Sequence, residues 1–219
     1  MRKIAGERPW IAVIGDMVES RALSARDRAA AQHEFARLIS LLNSRFRRSI
    51  ASRFVVTLGD EFQALLSGTH IIPDIVWTIE SEYHEREVRL GFGLGALHTP
   101  MQPVALNIDG PVLHHARSAI AVARKRRILG GVFDGFGIHD TVLNGFAMLL
   151  RHSRQQMTER QRTVIAHLRE GLPQTQIAKE LEITKQAVSD HAIAAGWEAY
   201  KAAEAGWRIS LGMATEFRA

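Results

Sequence analysis

Two Gly-Asp steps carry the first hint of chemistry: Gly15-Asp16 and Gly59-Asp60. The first closes the apolar, β-branched run Pro9 to Asp16 (PWIAVIGD). The second sits like a hairpin turn between Phe54 to Leu58 (FVVTL) and Glu61 to Leu66 (EFQALL). Short apolar runs stopped by turn pairs read as buried strands. A sheet that lays such strand ends side by side brings two carboxylates together. Hard divalent cations such as Mg2+ take carboxylate oxygens in that arrangement, with substrate phosphates completing the shell. A third piece, Val88 to Gly95 (VRLGFGLG), is a strand studded with glycine, which marks the close approach of another backbone or a ligand. The expectation is that Asp16 and Asp60 lie within metal-coordination distance of each other and can share Mg2+.

A second set of chemistry-bearing residues lies near the C-terminus. Thr158 to Arg169 reads as a helix capped by Thr158, Gln174 to Leu181 as a short second helix, and Lys185 to about Ala203 as a third. Ala178 is small where two helices cross closely, and Leu181, Ile183 and Val188 are apolar where a miniature core is needed. Thr184 is placed to cap the third helix, which leaves Lys185, Gln186 and Ser189 facing outward. Glutamine matches the donor–acceptor pair of adenine, and a helix N-terminus offers N–H groups to phosphate. Thr184, Lys185, Gln186 and Ser189 are therefore the expected contacts to double-stranded DNA. The bland alternative is three helices that serve as a structural cap.

The elements that must position these residues follow from periodicity. Helical spacing runs over Ala25 to Phe46, with Phe35, Leu38 and Leu42 inward, and over Ile71 to Glu87, Pro111 to Arg127 and Val142 to Ser153. The order strand–helix–strand–strand–helix–strand–helix points to an α+β fold with a mainly antiparallel sheet and helices on one face. The polar stretch Arg151 to Gln156 reads as a linker. The expected division is an α+β domain over residues 1–155 and a small all-α helix-turn-helix domain over 156–219.

Composition narrows the field. The 219 residues contain no cysteine, which excludes disulfides, thiolate metal sites and cysteine nucleophiles. A hydrophobic share of 46% with 23% charged residues excludes a disordered chain. No run of about 18 uncharged apolar residues is present, so no membrane span is expected. The polar N-terminus lacks an apolar signal core, and a cytoplasmic location is the expectation. A net charge of +5 permits a polyanion partner without demanding one.

The three N-terminal pieces resemble the palm-like catalytic domain of class III nucleotidyl cyclases, a ferredoxin-like architecture. In that family two metal-binding aspartates match Asp16 and Asp60. The helix positions that act on the triphosphate fall on Leu113 and Arg117, of which only the arginine matches. The purine-selecting positions fall on Val56 and Asn107, and neither matches; a first-strand glycine position is Glu19. The resemblance thus implies a retained scaffold without the cyclising machinery, and a ligand or phosphate contact at Gly59, Asn107 and Arg117. Residues Met157 to Ala195 resemble the helix-turn-helix of sigma-factor region 4 and LuxR-type regulators. As a whole, the sequence resembles the SatD family, on the stretches GDMVESR, VVTLGDEFQALL, RLGFGLGALHTP and IDGPVLHHARSAI.

Together these readings lead to a homodimeric DNA-binding regulator whose larger domain senses a nucleotide or other phosphorylated ligand. The dimer follows from analogy, since cyclase palms bury their glycine-rich face against a partner and helix-turn-helix proteins bind paired half-sites. The alternative is a metal-dependent phosphoryl- or nucleotidyl-transfer enzyme using Asp16 and Asp60. No catalytic residue is assigned, and no cyclase activity is expected. A ligandless interaction scaffold is the third reading.

Overall fold

Two strands that are buried at nearly every position decide the layering. β1 (Trp10–Met17) is buried from Ile11 to Met17, and Glu61–Leu66 is buried throughout. A strand with two apolar faces needs cover on both sides. The computed structural model describes residues 9–18, 24–57, 59–84 and 86–216. After β1 come α1 (Ala25–Arg45), β2 (Ile50–Val56), β3 (Glu61–Leu66), α2 (Ile72–Glu82), β4 (Val88–Gly95), α3 (Pro111–Arg126) and β5 (Val132–Asp134). They are followed by α4 (Asp140–Gln156), α5 (Glu159–Arg169), α6 (Gln174–Glu180), α7 (Lys185–Ala194) and α8 (Trp197–Glu216).

The strands form one five-stranded sheet in the order β2-β3-β1-β4-β5. Every pairing is antiparallel except β4 with β5, which is parallel. Along β1, Ile11, Val13 and Met17 join a core with α1, α2, α4 and α8. Ala12 and Ile14 join the opposite core with α3. The expectation of helices on one face is therefore corrected: α3 covers the second face. Helix α1 is capped by Ser24, whose Oγ accepts the Asp27 N–H at 3.2 Å. It buries Phe35, Leu38 and Leu42 fully, as its spacing predicts.

The glycines of β4 exist for α3. A Cβ on Gly91 would stand 2.5 Å from Ile120 N and 2.6 Å from Ala116 O, and one on Gly95 would stand 2.8 Å from Val112 N. A Cβ on Gly93 would collide with Ala116 N and Val112 O. The helix answers with its own small side chains, Ala116, Ala119 and Ala123, all fully buried. The glycine-rich face is thus covered within the chain, and the expectation that it meets a partner subunit is corrected.

Beyond β5 the structure departs from the sequence reading twice. Arg151 to Gln156 is not a linker but the last turns of α4, and Arg154 within it is 6% exposed. The long third helix expected over Lys185 to Ala203 is two helices, broken at Gly196, whose φ is +67°. After that break α8 turns back and lies antiparallel along α4, with Phe146 near Gly206 and Arg154 Nη1 donating to Tyr200 Oη at 2.7 Å. Trp207, Leu211 and Ala214 of α8 enter the sheet core. Between these two packing units, α5, α6 and α7 share a separate small core of Val164, Ile177, Ala178, Val188 and Ala192.

Candidate functional site

Asp16 stands on the α3 face of the sheet, between Glu61 on β3 and Arg89 on β4, its cross-strand partners. Residues in direct register on adjacent strands bring side chains within contact distance. Arg89 Nη2 donates to Asp16 Oδ2 at 2.9 Å. Arg124, near the end of α3, donates from Nε to the same oxygen at 3.0 Å and from Nη2 to Glu61 Oε2 at 2.9 Å. One guanidinium therefore joins two buried carboxylates, while Asp16 Oδ1 is buried without a hydrogen-bond partner. Burial pushes the Asp16 carboxyl above its ordinary value, and the pull of Arg124 and Arg89 offsets this only in part. For Arg124, burial works against the charged form, but Asp16 and Glu61 outweigh it and strengthen the guanidinium's hold on its proton.

The carboxylate that the strands bring beside Asp16 is Glu61. Asp60 is next to it in the turn, where its carbonyl accepts the Met17 N–H at 2.9 Å. Two guanidiniums already balance Asp16 and Glu61, and a single oxygen of the pair is left to an outside cation. In this arrangement Asp16 and Glu61 by themselves do not make a divalent-metal site, which draws on several oxygen ligands at once. Among the described residues, no three His, Asp or Glu side chains gather into a metal-binding group.

The other expected ligand contacts lie on three different elements. Gly59 occupies the hairpin turn with φ +75°, beside Gln32 of α1. Asn107 is exposed, with φ +55°, in the connection between β4 and α3. Arg117 is exposed on α3 two turns before Arg124, and Leu113 is buried. Glu19 lies outside the described residues.

At the other end of the chain, α5, α6 and α7 form a compact three-helix unit. Thr158 and Gln161 make a capping box at the start of α5. Thr184 Oγ1 accepts the Ala187 N–H at 3.0 Å and caps α7. The turn before it holds Glu182 at φ +54°, and Arg160 Nη2 braces it by donating to the Leu181 carbonyl at 3.2 Å. Lys185 and Gln186 are exposed, Ser189 is half-buried, and Gln186 Nε2 donates to Asp190 Oδ1 at 2.9 Å.

The SatD family matches residues 10–204 of this sequence. The chain belongs to the SatD family. No curated protein matches it. Among solved structures, a bacterial light-regulated adenylyl cyclase is similar at 13% identity with a TM-score of 0.43, over 57% of this chain and 74% of that one. The dimeric guanylyl cyclase domain of the RhoGC fusion protein from the aquatic fungus Blastocladiella emersonii is similar at 16% identity with a TM-score of 0.39, over 51% of this chain and 72% of that one. A regulator of polyketide synthase expression from Bifidobacterium adolescentis spans 97% of this SatD-family chain and 82% of its own length at 15% identity, with a TM-score of 0.28.

Sequence reasoning about this SatD-family chain missed Glu61, Arg89 and Arg124 as the neighbours of Asp16. For Arg124 no local signal existed, because a basic helix end ordinarily faces water. It also missed a latch that ties α5 and α8 to α2. Arg169 and Arg208 both reach Glu204 at 2.6 Å, and both reach Asp74 of α2, at 3.2 and 2.7 Å. Burial alone would raise Asp74 and Glu204, but the arginine contacts win and hold both carboxyls below their ordinary values. Trp77 of α2 lies under Arg169, 4.3 Å from its ring centroid, and meets Tyr200 edge-on. No helix among the described residues is long and apolar enough to cross a membrane.

Proposed function

We propose that this SatD-family protein is a DNA-binding transcription regulator, acting in the cytoplasm as a homodimer on double-stranded DNA. In this reading residues 156–219 carry the DNA contact, and the sheet portion over 1–155 carries a regulatory input from a nucleotide or other phosphorylated ligand. One observation supports it best. Val188 and Ala192 turn inward on α7, which leaves Gln186 exposed on the opposite side of a capped helix N-terminus, with Lys185 exposed in the same first turn. That is the presentation a recognition helix needs in a major groove. Gln186 would exchange its hydrogen bond to Asp190 for a base edge, and Thr184 with the first turn of α7 would meet phosphate. Two copies would place their helices about 34 Å apart on paired half-sites.

Metal-dependent phosphoryl or nucleotidyl transfer at Asp16 and Asp60 has less support. Arg89 and Arg124 already pair with Asp16, one of the two carboxylates that such chemistry would use.

The test is selection from a randomised duplex pool at two salt concentrations. A regulator enriches a defined sequence and loses affinity as salt rises. Gln186→Ala relaxes preference at one position and keeps the salt slope, whereas Lys185→Ala weakens all sequences and lowers the slope by about one. A wild-type protein that enriches no sequence, and whose retention is indifferent to salt, returns α5–α7 to the role of a structural cap.

A further inference from the structure

A cleft of about 990 Å3 opens between α2, the loop into β4, the end of α4 and the first turns of α5. Its size is within the range of small-molecule sites, which run to about 1,000 Å3. Trp77, Glu80, Arg151 and Arg154 line its inner part, and Arg86 and Arg162 line its mouth.

The charges are answered unevenly. Inside, Glu80 pairs with Arg154 and reaches Arg151 Nη1 at 3.5 Å, while Glu87 reaches Arg151 Nη2 at 2.8 Å. Two guanidiniums thus meet two carboxylates, and the inner charges balance. At the mouth, Arg86 and Arg162 are exposed and form no ion pair among the described residues, with Glu159 the one further carboxylate on the lining. Among the described residues, the cleft therefore carries one cation more than its carboxylates balance.

We propose that this cleft is a binding site for a nucleotide-sized organic anion. The ligand's flat apolar body lies along the Trp77 side, and its carboxylate, sulfonate or phosphate lies between Arg162 and Arg86. Guanidinium groups suit such oxyanions because they offer paired donors in a fixed fork. The walls come from both packing units of the chain: α2 belongs to the sheet core, and α5 carries Val164 of the small core. A bound anion would bridge the two. The site stands on its own geometry and does not depend on DNA binding.

The experiment is a fluorescence titration of the full chain with anilinonaphthalene sulfonate, an aromatic anion of this size. Its uncharged counterpart phenylnaphthylamine serves as the comparison. One saturable site per chain is expected, with millimolar inorganic phosphate competing. Arg86→Glu combined with Arg162→Glu weakens binding at least about tenfold, and both residues are exposed, so the fold is retained. Thr163→Trp, which fills the cleft from α5, abolishes it. Ile209→Glu, on the exposed apolar side of α8, leaves it unchanged. Four results overturn the proposal: no saturable site, binding that survives the arginine reversals, binding lost in Ile209→Glu, or phenylnaphthylamine binding as tightly as the sulfonate.

Discussion

Arg124 Nε donates to Asp16 Oδ2 at 3.0 Å, so a residue near the end of α3 closes over a carboxylate that precedes it by 108 positions. The contact gives the sheet a built-in cation where the sequence suggests a metal. Removing that cation is informative. Arg124→Ala leaves Asp16 and Glu61 facing each other with Arg89 as their only guanidinium. Breaking a fully buried pair costs about 3–5 kcal/mol, and the half-exposed Arg124 side chain reduces this to roughly 1–3 kcal/mol. Urea denaturation measures the loss. Millimolar Mg2+ should leave the wild-type midpoint in place and raise that of the variant. Wild-type stabilisation by Mg2+ that disappears in Asp16→Asn would restore the shared-metal reading.

Gly93→Val and Gly145→Ala should act in opposite directions. A Cβ at Gly93 runs into the backbone of α3, so the helix must lift off β4 at a cost of at least about 3 kcal/mol. At Gly145, in the middle of α4, a Cβ meets nothing within 4 Å, and alanine should stabilise by about 0.5–1 kcal/mol. Thermal unfolding of the two variants beside the wild type checks both signs.

The latch on α8 predicts acid sensitivity. Asp74 and Glu204 have folded-state pKa values below the ordinary 3.8 and 4.5, so the folded state binds fewer protons than the unfolded chain. Their contribution is complete above those ordinary values and is lost as the pH falls through the depressed ones. Asp16 runs the other way: its pKa is raised above 3.8, so its contribution declines as the pH rises past that value. A series of melting curves from about pH 6 to pH 2.5 should show a fall at the acid end. Arg208→Ala should flatten that fall, because both carboxylates lose a partner. An unchanged acid limb in Arg208→Ala would show that the latch does not govern acid stability.

Within α5–α7, two substitutions separate core from cap. Val188 is fully buried, and Val188→Asp places an unpaired charge in a five-residue core, which should unfold this unit. Thr184→Ala removes one cap hydrogen bond and should cost only about 1 kcal/mol. Amide hydrogen exchange resolves the two: loss of protection across α5–α7 in the first case, and fraying confined to the first turn of α7 in the second.

Sequence alone determined the elements whose signals are local. The strand runs, the caps at Ser24, Thr158 and Thr184, the inward stripe of α1 and the small core around Val188 depend on neighbours within a few residues. The pattern also singled out Asp16 together with Asp60, because two Gly-Asp steps accompany a glycine-rich strand. Tertiary structure alone decided what faces that carboxylate. Glu61 arrives by strand register, Arg89 from β4, and Arg124 from a helix held on β4 by three glycines. Likewise, the break at Gly196 sends α8 back to the sheet, and pairs such as Asp74 with Arg208, 134 positions apart, follow from that return. Ion pairs of this kind depend on distances set by chain topology, and residue spacing carries no record of them.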